Sequence, residues 1–147
     1  MTKLRTNITD PVYTLGVASR LSGVPIHSIR QYIDKGLLLP YKTETNRNLF
    51  SEIDVERLRI IKKYMEQGLN VAGIRSLYAQ IPGFIIKPCN RKDCDKCLSS
   101  KTSDLPCWMV EKKDDLCSHK ECRTCAVYLM ADPVVDLKKY FLKNRNN

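Results

Sequence analysis

Two short helical patterns separated by a glycine turn constrain the fold of this chain more than any other feature of its sequence. Thr14 is a suitable N-cap for a helix over Leu15–Ser22, and Gly23 supplies the turn after it. The second pattern covers residues 25–35. It starts with a proline, which the first turn of a helix tolerates, and it ends before Gly36, which favours a left-handed cap. Because so short a turn forces the two helices into contact, the stretch predicts a helix-turn-helix.

The second helix of this motif has two distinct faces. One face is apolar and is predicted to be buried: Ile26, Ile29 and Ile33. The other face is polar and basic: His27, Ser28, Arg30, Gln31 and Lys35. Side chains of this kind contact phosphates and base edges in protein–DNA complexes, so this face is the first candidate nucleic-acid contact. His27 is more simply explained as an exposed polar residue than as a metal ligand or a sensor.

A polar hairpin follows the helix-turn-helix. Residues 37–41 and 49–50 are mostly apolar and predict two short strands around a polar loop. The hairpin carries two basic side chains, Lys42 and Arg47. A hairpin in this position is a candidate wing, which places basic residues against the phosphates beside a DNA groove.

Two further helices are indicated after the hairpin. Ser51 is a suitable N-cap, and Asp54, three residues later, completes a variant of the capping box. Apolar residues recur at helical spacing along the first of these helices: Val55, Leu58, Ile61 and Met65. Asn70 can cap the next helix, over residues 71–80, before Pro82 ends the pattern.

The same residues carry a family resemblance. The run YTLGVASRLSGVPIHSIRQYIDKGLLLPYK, continued by NRNLFSEIDVERLRII, resembles the DNA-binding domain of MerR-family transcription regulators. The following GLNVAGIRSL is similar to the branch that contains bacterial heat-shock repressors. The resemblance implies a winged helix-turn-helix over residues 13–81. It also implies a homodimer bound to two-fold, double-stranded operator DNA at promoters that RNA polymerase uses.

The resemblance also implies individual DNA contacts. By motif position these are Ser28, Arg30 and Tyr32 on the second helix. We expect Arg30 to bind phosphate, and Ser28 and Gln31 to approach the bases.

The hairpin departs from the family pattern at one position. Asn48 stands where the family usually has an arginine, and Arg47 lies one residue earlier. Lys42 and Arg47 are therefore the candidate contacts of the hairpin, and its geometry is less constrained by the resemblance than that of the helix.

Charge and hydropathy narrow the class of protein. The 147 residues carry a net charge of +9, and the pI near 9.3 favours an anionic partner such as nucleic acid. No apolar run approaches the ~18 residues of a membrane span, and the first residues lack the apolar segment of a signal peptide. We therefore expect a cytoplasmic protein with no membrane partner.

The second half of the chain is dominated by cysteines. All seven lie between Cys89 and Cys125, and the spacing C-x4-C-x2-C occurs twice, offset by 28 residues. The repeat extends upstream, where IPGFII parallels LPCWMV. This parallel predicts a four-thiolate set in the second unit: Cys107, Cys117, Cys122 and Cys125. The first unit has three thiolates: Cys89, Cys94 and Cys97.

The spacing leaves the bound group open between an iron–sulfur cluster and Zn²⁺. Clustered cysteines in a reducing compartment more often bind metal than form disulfides. C-x4-C-x2-C with a distant cysteine resembles plant-type ferredoxin spacing, which would instead group Cys107 with the first triplet. Structural zinc favours paired C-x2-C motifs, of which each unit has one. Unliganded thiols are the remaining alternative, although metal coordination would supply folding energy to a loop-rich segment.

The predicted fold is therefore mainly α, in three parts. A winged helix-turn-helix over residues 13–81 is followed by a loop-rich cysteine module over residues 82–131. We expect a small apolar shell around its site: Trp108, Val110, Val127, Tyr128 and Leu129. Residues 132–147 form a short amphipathic helix and a basic tail, with an apolar face that includes Val134, Leu137 and Phe141.

Two functions fit this organisation. The first is a sequence-specific DNA-binding transcription regulator whose cysteine module responds to redox state or metal. The second is an iron–sulfur electron-transfer protein that uses the helical domain to dock partners. The sequence offers no combination of nucleophile and base for catalysis, so an enzyme is not expected.

Overall fold

The computed structural model describes residues 7–81, 106–109 and 122–145. Within these residues the fold is mainly helical, as predicted, with a small antiparallel sheet and two 3-10 turns at Cys107–Met109 and Cys122–Thr124. The elements are β1 (Tyr13–Thr14), α1 (Leu15–Ser22), α2 (Ile26–Asp34), β2 (Tyr41–Lys42), β3 (Asn48–Phe50), α3 (Glu52–Glu66), α4 (Val71–Ala79) and α5 (Val135–Lys143). None of the helices in the described ranges has the length and apolar character of a membrane span.

The first helix and its turn form as predicted. The Oγ1 of Thr14 accepts a hydrogen bond from the N–H of Val17 at 3.4 Å and so caps α1. Gly23 follows α1 with φ 75° and donates its N–H to the carbonyl of Ser19 at 2.9 Å. The hydroxyl of Ser19 donates to the carbonyl of Val24 at 2.6 Å, which ties the turn back to α1.

The second helix is confirmed, but its buried stripe differs from the prediction. α2 covers Ile26–Asp34, and its buried residues are Ile29 and Tyr32. Ile26 is 39% exposed, so the predicted apolar face is wrong at that position. Gly36 has φ 81°, a left-handed conformation that ends the helix as the sequence indicates.

The hairpin is shorter than predicted and has a third strand beside it. β3 lies in the centre of the sheet, antiparallel to β1 on one side and to β2 on the other. Most of the predicted strand over residues 37–41 does not form. Leu37 and Leu38 are instead buried in the core, and the N–H of Leu37 donates to the carbonyl of Tyr32 at 2.9 Å. β1 has only two residues, too few for periodicity to reveal.

Capping fixes the start of both following helices. Ser51 and Asp54 form a reciprocal capping box at α3, in which the N–H of Ser51 donates to Oδ2 of Asp54 at 2.8 Å. The side chain of Asn70 accepts the N–H of Gly73 at 2.8 Å and caps α4. The predicted core positions Val55, Leu58 and Ile61 are buried, but Met65 is 37% exposed. The buried stripe of α3 therefore ends one residue earlier than predicted, at Tyr64.

Part of the C-terminal half packs into the same core as the helix-turn-helix. The core cluster contains these C-terminal residues: Trp108, Cys125, Val127 and Tyr128. They are buried together with Ile29, Leu37, Phe50 and Leu58. The prediction that Trp108, Val127 and Tyr128 surround a separate site did not anticipate this shared core.

The C-terminal helix forms as predicted, but its apolar face is open. α5 covers Val135–Lys143 and contains no buried residue. Phe141 is 48% exposed and Leu142 is 65% exposed. Val134, just before the helix, packs against the core.

Candidate nucleic-acid interface

The predicted contact residues of α2 lie at the protein surface. His27, Arg30, Gln31 and Lys35 are exposed, and Ser28 is half-buried. The turn after α1 and the burial of Ile29 fix the helix on the core, so the polar side chains between the buried positions project outward. This exposed face combines cationic and amide side chains, the types that contact phosphates and base edges.

Tyr32 differs from the other predicted contacts. It is only 5% exposed and belongs to the hydrophobic core. Burial raises the pKa of its hydroxyl, and a side-chain hydrogen bond with Ser28 opposes that rise. Tyr32 therefore lies on the buried face of α2. Its role as a DNA contact rests on the resemblance alone.

The tip of the hairpin is a closed turn that displays two cations. The N–H of Thr43 donates to the carbonyl of Arg47 at 2.9 Å, and the N–H of Arg47 donates to Oγ1 of Thr43 at 3.0 Å. Asn46 has φ 65°, a conformation that asparagine tolerates in turns. Lys42 and Arg47 are exposed on this frame.

Asn48, at the position where the resemblance implies an arginine, is half-buried, unlike Lys42 and Arg47. Its Oδ1 is buried and has no hydrogen-bond partner among the described residues. Among the described residues of the hairpin, the exposed cations are therefore Lys42 and Arg47.

A groove between α2 and α4 extends the basic surface. It has a volume of about 450 Å³ and is lined by Gln31 and Lys35 of α2 and by Asn70 and Arg75 of α4 or its cap, among others. The Nε of Arg75 is buried without a hydrogen-bond partner among the described residues. Sequence reasoning did not single out Arg75, because nothing in the local pattern indicates that α4 lies beside α2.

Comparison with known proteins identifies this part of the chain. The family model described as MerR HTH family regulatory protein matches residues 13–81. These residues are the ones that form β1 to α4 with the exposed face and the hairpin described above. Residues 13–81 are a MerR-family helix-turn-helix domain.

Of three similar proteins, two are named as transcriptional regulators and one as a heat shock protein. The chain is 39% identical over 67 residues to the HTH-type transcriptional regulator GlnR of Bacillus anthracis, covering 46% of this chain and 52% of GlnR. It is 37% identical over 68 residues to heat shock protein HspR of Streptomyces coelicolor, covering 46% of this chain and 45% of HspR. It is 33% identical over 63 residues to the HTH-type transcriptional regulator TnrA of Bacillus subtilis, covering 43% and 57%.

Each of these matches covers less than half of this chain. The chain spans about half the length of each of these relatives. Identity to GlnR and to HspR is nearly equal, so assignment to the heat-shock branch stays a prediction.

Residues 106–109 and 122–145, which we call the C-terminal segment, contact the MerR-family domain. The contact lies at the joint between α2 and the β2–β3 hairpin, which we call the wing. We call residues 36–39 the joint. The indole Nε1 of Trp108 donates to the carbonyl of Gly36 at 2.7 Å. The N–H of Leu39 donates to the hydroxyl oxygen of Tyr128 at 2.9 Å, and that hydroxyl donates to Oδ1 of Asp54 at 2.7 Å. Tyr128 therefore links the joint to the capping box of α3.

A fully buried arginine lies at the centre of these contacts. Arg57 of α3 is 0% exposed and donates to the carbonyls of Leu37 and Tyr128, both at 2.9 Å. Its guanidinium carbon lies 4.0 Å from the ring centroid of Tyr128, 4.2 Å from that of Tyr78 and 4.7 Å from that of Trp108. Burial raises the pKa of Tyr128 well above 10.0, and the Arg57 charge opposes that rise. Cation–π contacts and charge-assisted hydrogen bonds offset part of the cost of burying this charge, whereas its Nε is buried without a hydrogen-bond partner among the described residues.

Asp132, just before α5, makes a second contact with the MerR-family domain. Oδ1 of Asp132 accepts the hydroxyl of Tyr64 at 2.6 Å, and Oδ2 accepts Nζ of Lys63 at 2.9 Å. The N–H groups of Val134 and Val135 donate to the same carboxylate. Burial opposes the charge on Asp132, but these hydrogen bonds outweigh it and lower the pKa of Asp132.

The predicted thiolate ligands are only partly within the described residues. Cys107 and Cys122 each begin a 3-10 turn, and the side chain of Cys125 is buried at 3% exposure. The other predicted ligands lie outside the described residues: Cys89, Cys94, Cys97 and Cys117. Among the described residues no group of three or more His, Cys, Asp or Glu side chains is arranged to hold a metal. The cysteine donor set itself has the chemistry that Zn²⁺ and iron–sulfur clusters accept.

Proposed function

We propose that this chain is a cytoplasmic transcription regulator that binds double-stranded operator DNA as a homodimer at promoters used by RNA polymerase. One observation carries the proposal: residues 13–81 are a MerR-family domain with a polar, basic face exposed on α2. The names of GlnR and TnrA as transcriptional regulators support the same function. Dimerisation follows from the two-fold logic of operator recognition.

The exposed side chains are suited to different groups of the DNA. Arg30 on α2 and Arg47 in the wing are cations on short, well-fixed elements, which suits them to phosphate contacts that set the register on the duplex. Gln31 and Ser28 carry donor and acceptor groups without charge, which suits them to base edges. The positive net charge of the chain adds sequence-independent attraction.

The experiment is a selection of duplexes from a random-sequence library with the full chain, followed by anisotropy titrations at several salt concentrations. Each phosphate contact releases condensed counterions, so Arg30→Ala and Arg47→Ala should weaken binding to all duplexes. Each change should also reduce the slope of log K against log salt by about 1.

Lys138→Ala is the matched control, because Lys138 is an exposed cation on α5 and its loss changes the net charge equally. It should leave the slope almost unchanged. If Arg30→Ala and Arg47→Ala bind with the affinity and slope of the wild type, these residues are not DNA contacts. If the wild type enriches no sequence at all, the proposed function is wrong.

We further propose that the cysteine module holds an iron–sulfur cluster or Zn²⁺ and makes the regulator responsive to redox state or metal. Cys107, Cys117, Cys122 and Cys125 would be the ligands of the complete unit. A cluster would supply an oxidation-sensitive centre, and zinc would supply a structural one. The support is the repeated thiolate spacing and the small number of apolar residues in the loop-rich cysteine segment.

Anaerobic purification with metal analysis and a visible absorption spectrum separates these cases. Iron with charge-transfer absorption indicates a cluster, and zinc without absorption indicates a structural site. Metal-free protein contradicts the proposal. Cys117→Ser should abolish the metal whereas Cys89→Ser should retain it, and the reverse result would favour grouping Cys107 with the first triplet.

A further inference from the structure

The backbone of the joint between α2 and the wing is paired mainly with side chains from other segments. After Gly36 the chain forms no regular strand until Tyr41, so its buried and partly buried backbone groups need hydrogen-bond partners from other segments. Three of these groups are paired with side chains from elsewhere. The carbonyl of Gly36 accepts from Trp108, the carbonyl of Leu37 from Arg57, and the N–H of Leu39 donates to Tyr128.

Two of these partners belong to the C-terminal segment. Trp108 and Tyr128 are buried, and their rings contact each other edge to face with centroids 5.3 Å apart. Both rings also face the guanidinium of Arg57. Moving this pair away would leave two partly buried backbone groups of the joint without these partners and would remove two of the three aromatic rings that face the guanidinium of Arg57.

The cysteines lie next to this pair in the chain. Cys107 immediately precedes Trp108, and the buried Cys125 lies three residues before Tyr128 in the same core cluster. The N–H of Leu129 donates to the carbonyl of Cys125 at 3.0 Å, which closes a turn around Tyr128. The two side chains that hold the joint therefore lie within three residues of a cysteine in the chain.

We propose that residues 106–109 and 122–132 form a brace that sets the position of α2 relative to the wing, and that the cysteine module regulates DNA binding through this brace. The inference rests on the proposed function, because it assigns regulation to the same DNA-binding surface. Coupling of this kind is reciprocal: what binds to the cysteines changes DNA affinity, and DNA changes the environment of the brace.

Two substitutions that each remove one oxygen atom distinguish an effect on the brace from a general loss of stability. Tyr128→Phe removes the hydroxyl that bridges Leu39 and Asp54. Tyr78→Phe is the matched control, because its hydroxyl donates to the carbonyl of Ala131 at 2.7 Å, a contact with the same C-terminal segment that does not involve the joint. Both changes delete one buried hydroxyl.

DNA affinity is measured by anisotropy with the duplex that the wild type selects and with a random-sequence duplex, at a temperature well below the melting transition of each variant. Tyr128→Phe should weaken binding to the selected duplex by about fivefold or more, and Tyr78→Phe by less than about twofold. Trp108→Phe, which keeps an aromatic ring but removes the donor to Gly36, should behave like Tyr128→Phe.

Tryptophan fluorescence supplies an independent readout, because Trp108 is the single tryptophan of the chain. Emission should shift when the wild type and Tyr78→Phe bind the selected duplex. Addition of Zn²⁺ to metal-free protein should change both the emission and the DNA affinity.

The outcomes are distinct. If Tyr128→Phe and Trp108→Phe bind the selected duplex as tightly as Tyr78→Phe, or if DNA leaves the emission unchanged, the brace is overturned although the proposed function stands. If Zn²⁺ binds without changing DNA affinity, control by the cysteines is overturned. If the wild type selects no duplex, the proposed function fails and the inference fails with it.

Discussion

At the scale of single residues, Arg57 is the least expected side chain in this protein. A fully buried cation is costly unless hydrogen bonds and neighbouring charge distributions replace its hydration. Two carbonyls and three aromatic faces replace part of that hydration, but among the described residues Nε has no hydrogen-bond partner and no carboxylate lies within salt-bridge distance. Its environment therefore depends on Trp108 and Tyr128 remaining in place.

Arg57→Leu should lower the free energy of unfolding by roughly 2–5 kcal/mol, because it leaves the carbonyls of Leu37 and Tyr128 without their hydrogen-bond donor. Arg57→Lys keeps the charge but loses one of the two hydrogen bonds and the planar stacking, so an intermediate loss is expected. Urea unfolding measures both changes. Arg59→Ala, an exposed position, should cost no more than about 1 kcal/mol. An Arg57→Leu protein as stable as the wild type would show that the hydrogen bonds of Arg57 do not stabilise the core.

Asp132 makes stability depend on pH in the acid range. Its pKa is lowered from 3.8 in the folded chain, so its charged form contributes stability above about pH 4, and this is lost as pH falls through the folded pKa. Asp132→Asn should therefore be less stable than the wild type at pH 7 and should lose less stability between about pH 5 and 3. Glu66→Gln, an exposed position, is the control and should keep the acid dependence of the wild type. Equal acid dependence in Asp132→Asn would contradict the assignment.

At the scale of elements, the link between α2 and the wing depends on one glycine. Gly36 has φ 81°, and a Cβ added there would collide with the side chain of Met109 from the C-terminal segment. The joint therefore needs glycine both for its backbone conformation and for the close approach of that segment.

Gly36→Ala should destabilise the chain by about 1–2 kcal/mol from the left-handed conformation alone, with a further cost for displacing Met109. Gly16→Ala is the matched control, since Gly16 lies in α1 and a Cβ there meets nothing within 4 Å. It should be neutral or stabilising by up to about 1 kcal/mol. Thermal and urea unfolding compare the two. Equal stabilities of the two variants would show that the joint tolerates a side chain.

At the scale of the whole molecule, the family domain and the C-terminal segment share one core. The domain assigned by family, residues 13–81, ends just after α4, but the cluster that buries Arg57 is completed by Trp108 and Tyr128. We therefore expect the cooperative unit of folding to be larger than the family domain.

A chain cut after residue 81 should unfold at lower temperature, or fail to show a cooperative transition, because it loses part of the core and the cover of Arg57. A chain cut after residue 134 lacks α5, which contains no buried residue, and should keep nearly the full transition. Calorimetry distinguishes the two. A chain of residues 1–81 that melts like the full chain would show that the C-terminal segment adds nothing to the core.

The sequence by itself determined the local elements of this protein. The cap at Thr14, the glycine turn at Gly23, the capping box of Ser51 and Asp54 and the cap at Asn70 each involve groups within four residues of one another, so their chemistry is visible in the sequence. The exposed basic face of α2 follows from the same local periodicity.

Only the tertiary structure decided what lies behind that face. The contacts of Arg57 with Tyr128 and of Trp108 with Gly36 span about 70 residues, and no local pattern records them. Arg57 has the sequence signature of an ordinary solvated arginine on a helix, and Trp108 has that of packing around a metal site. Their placement depends on long-range burial, because cation–π contact and desolvation exist only once the distant segments have come together.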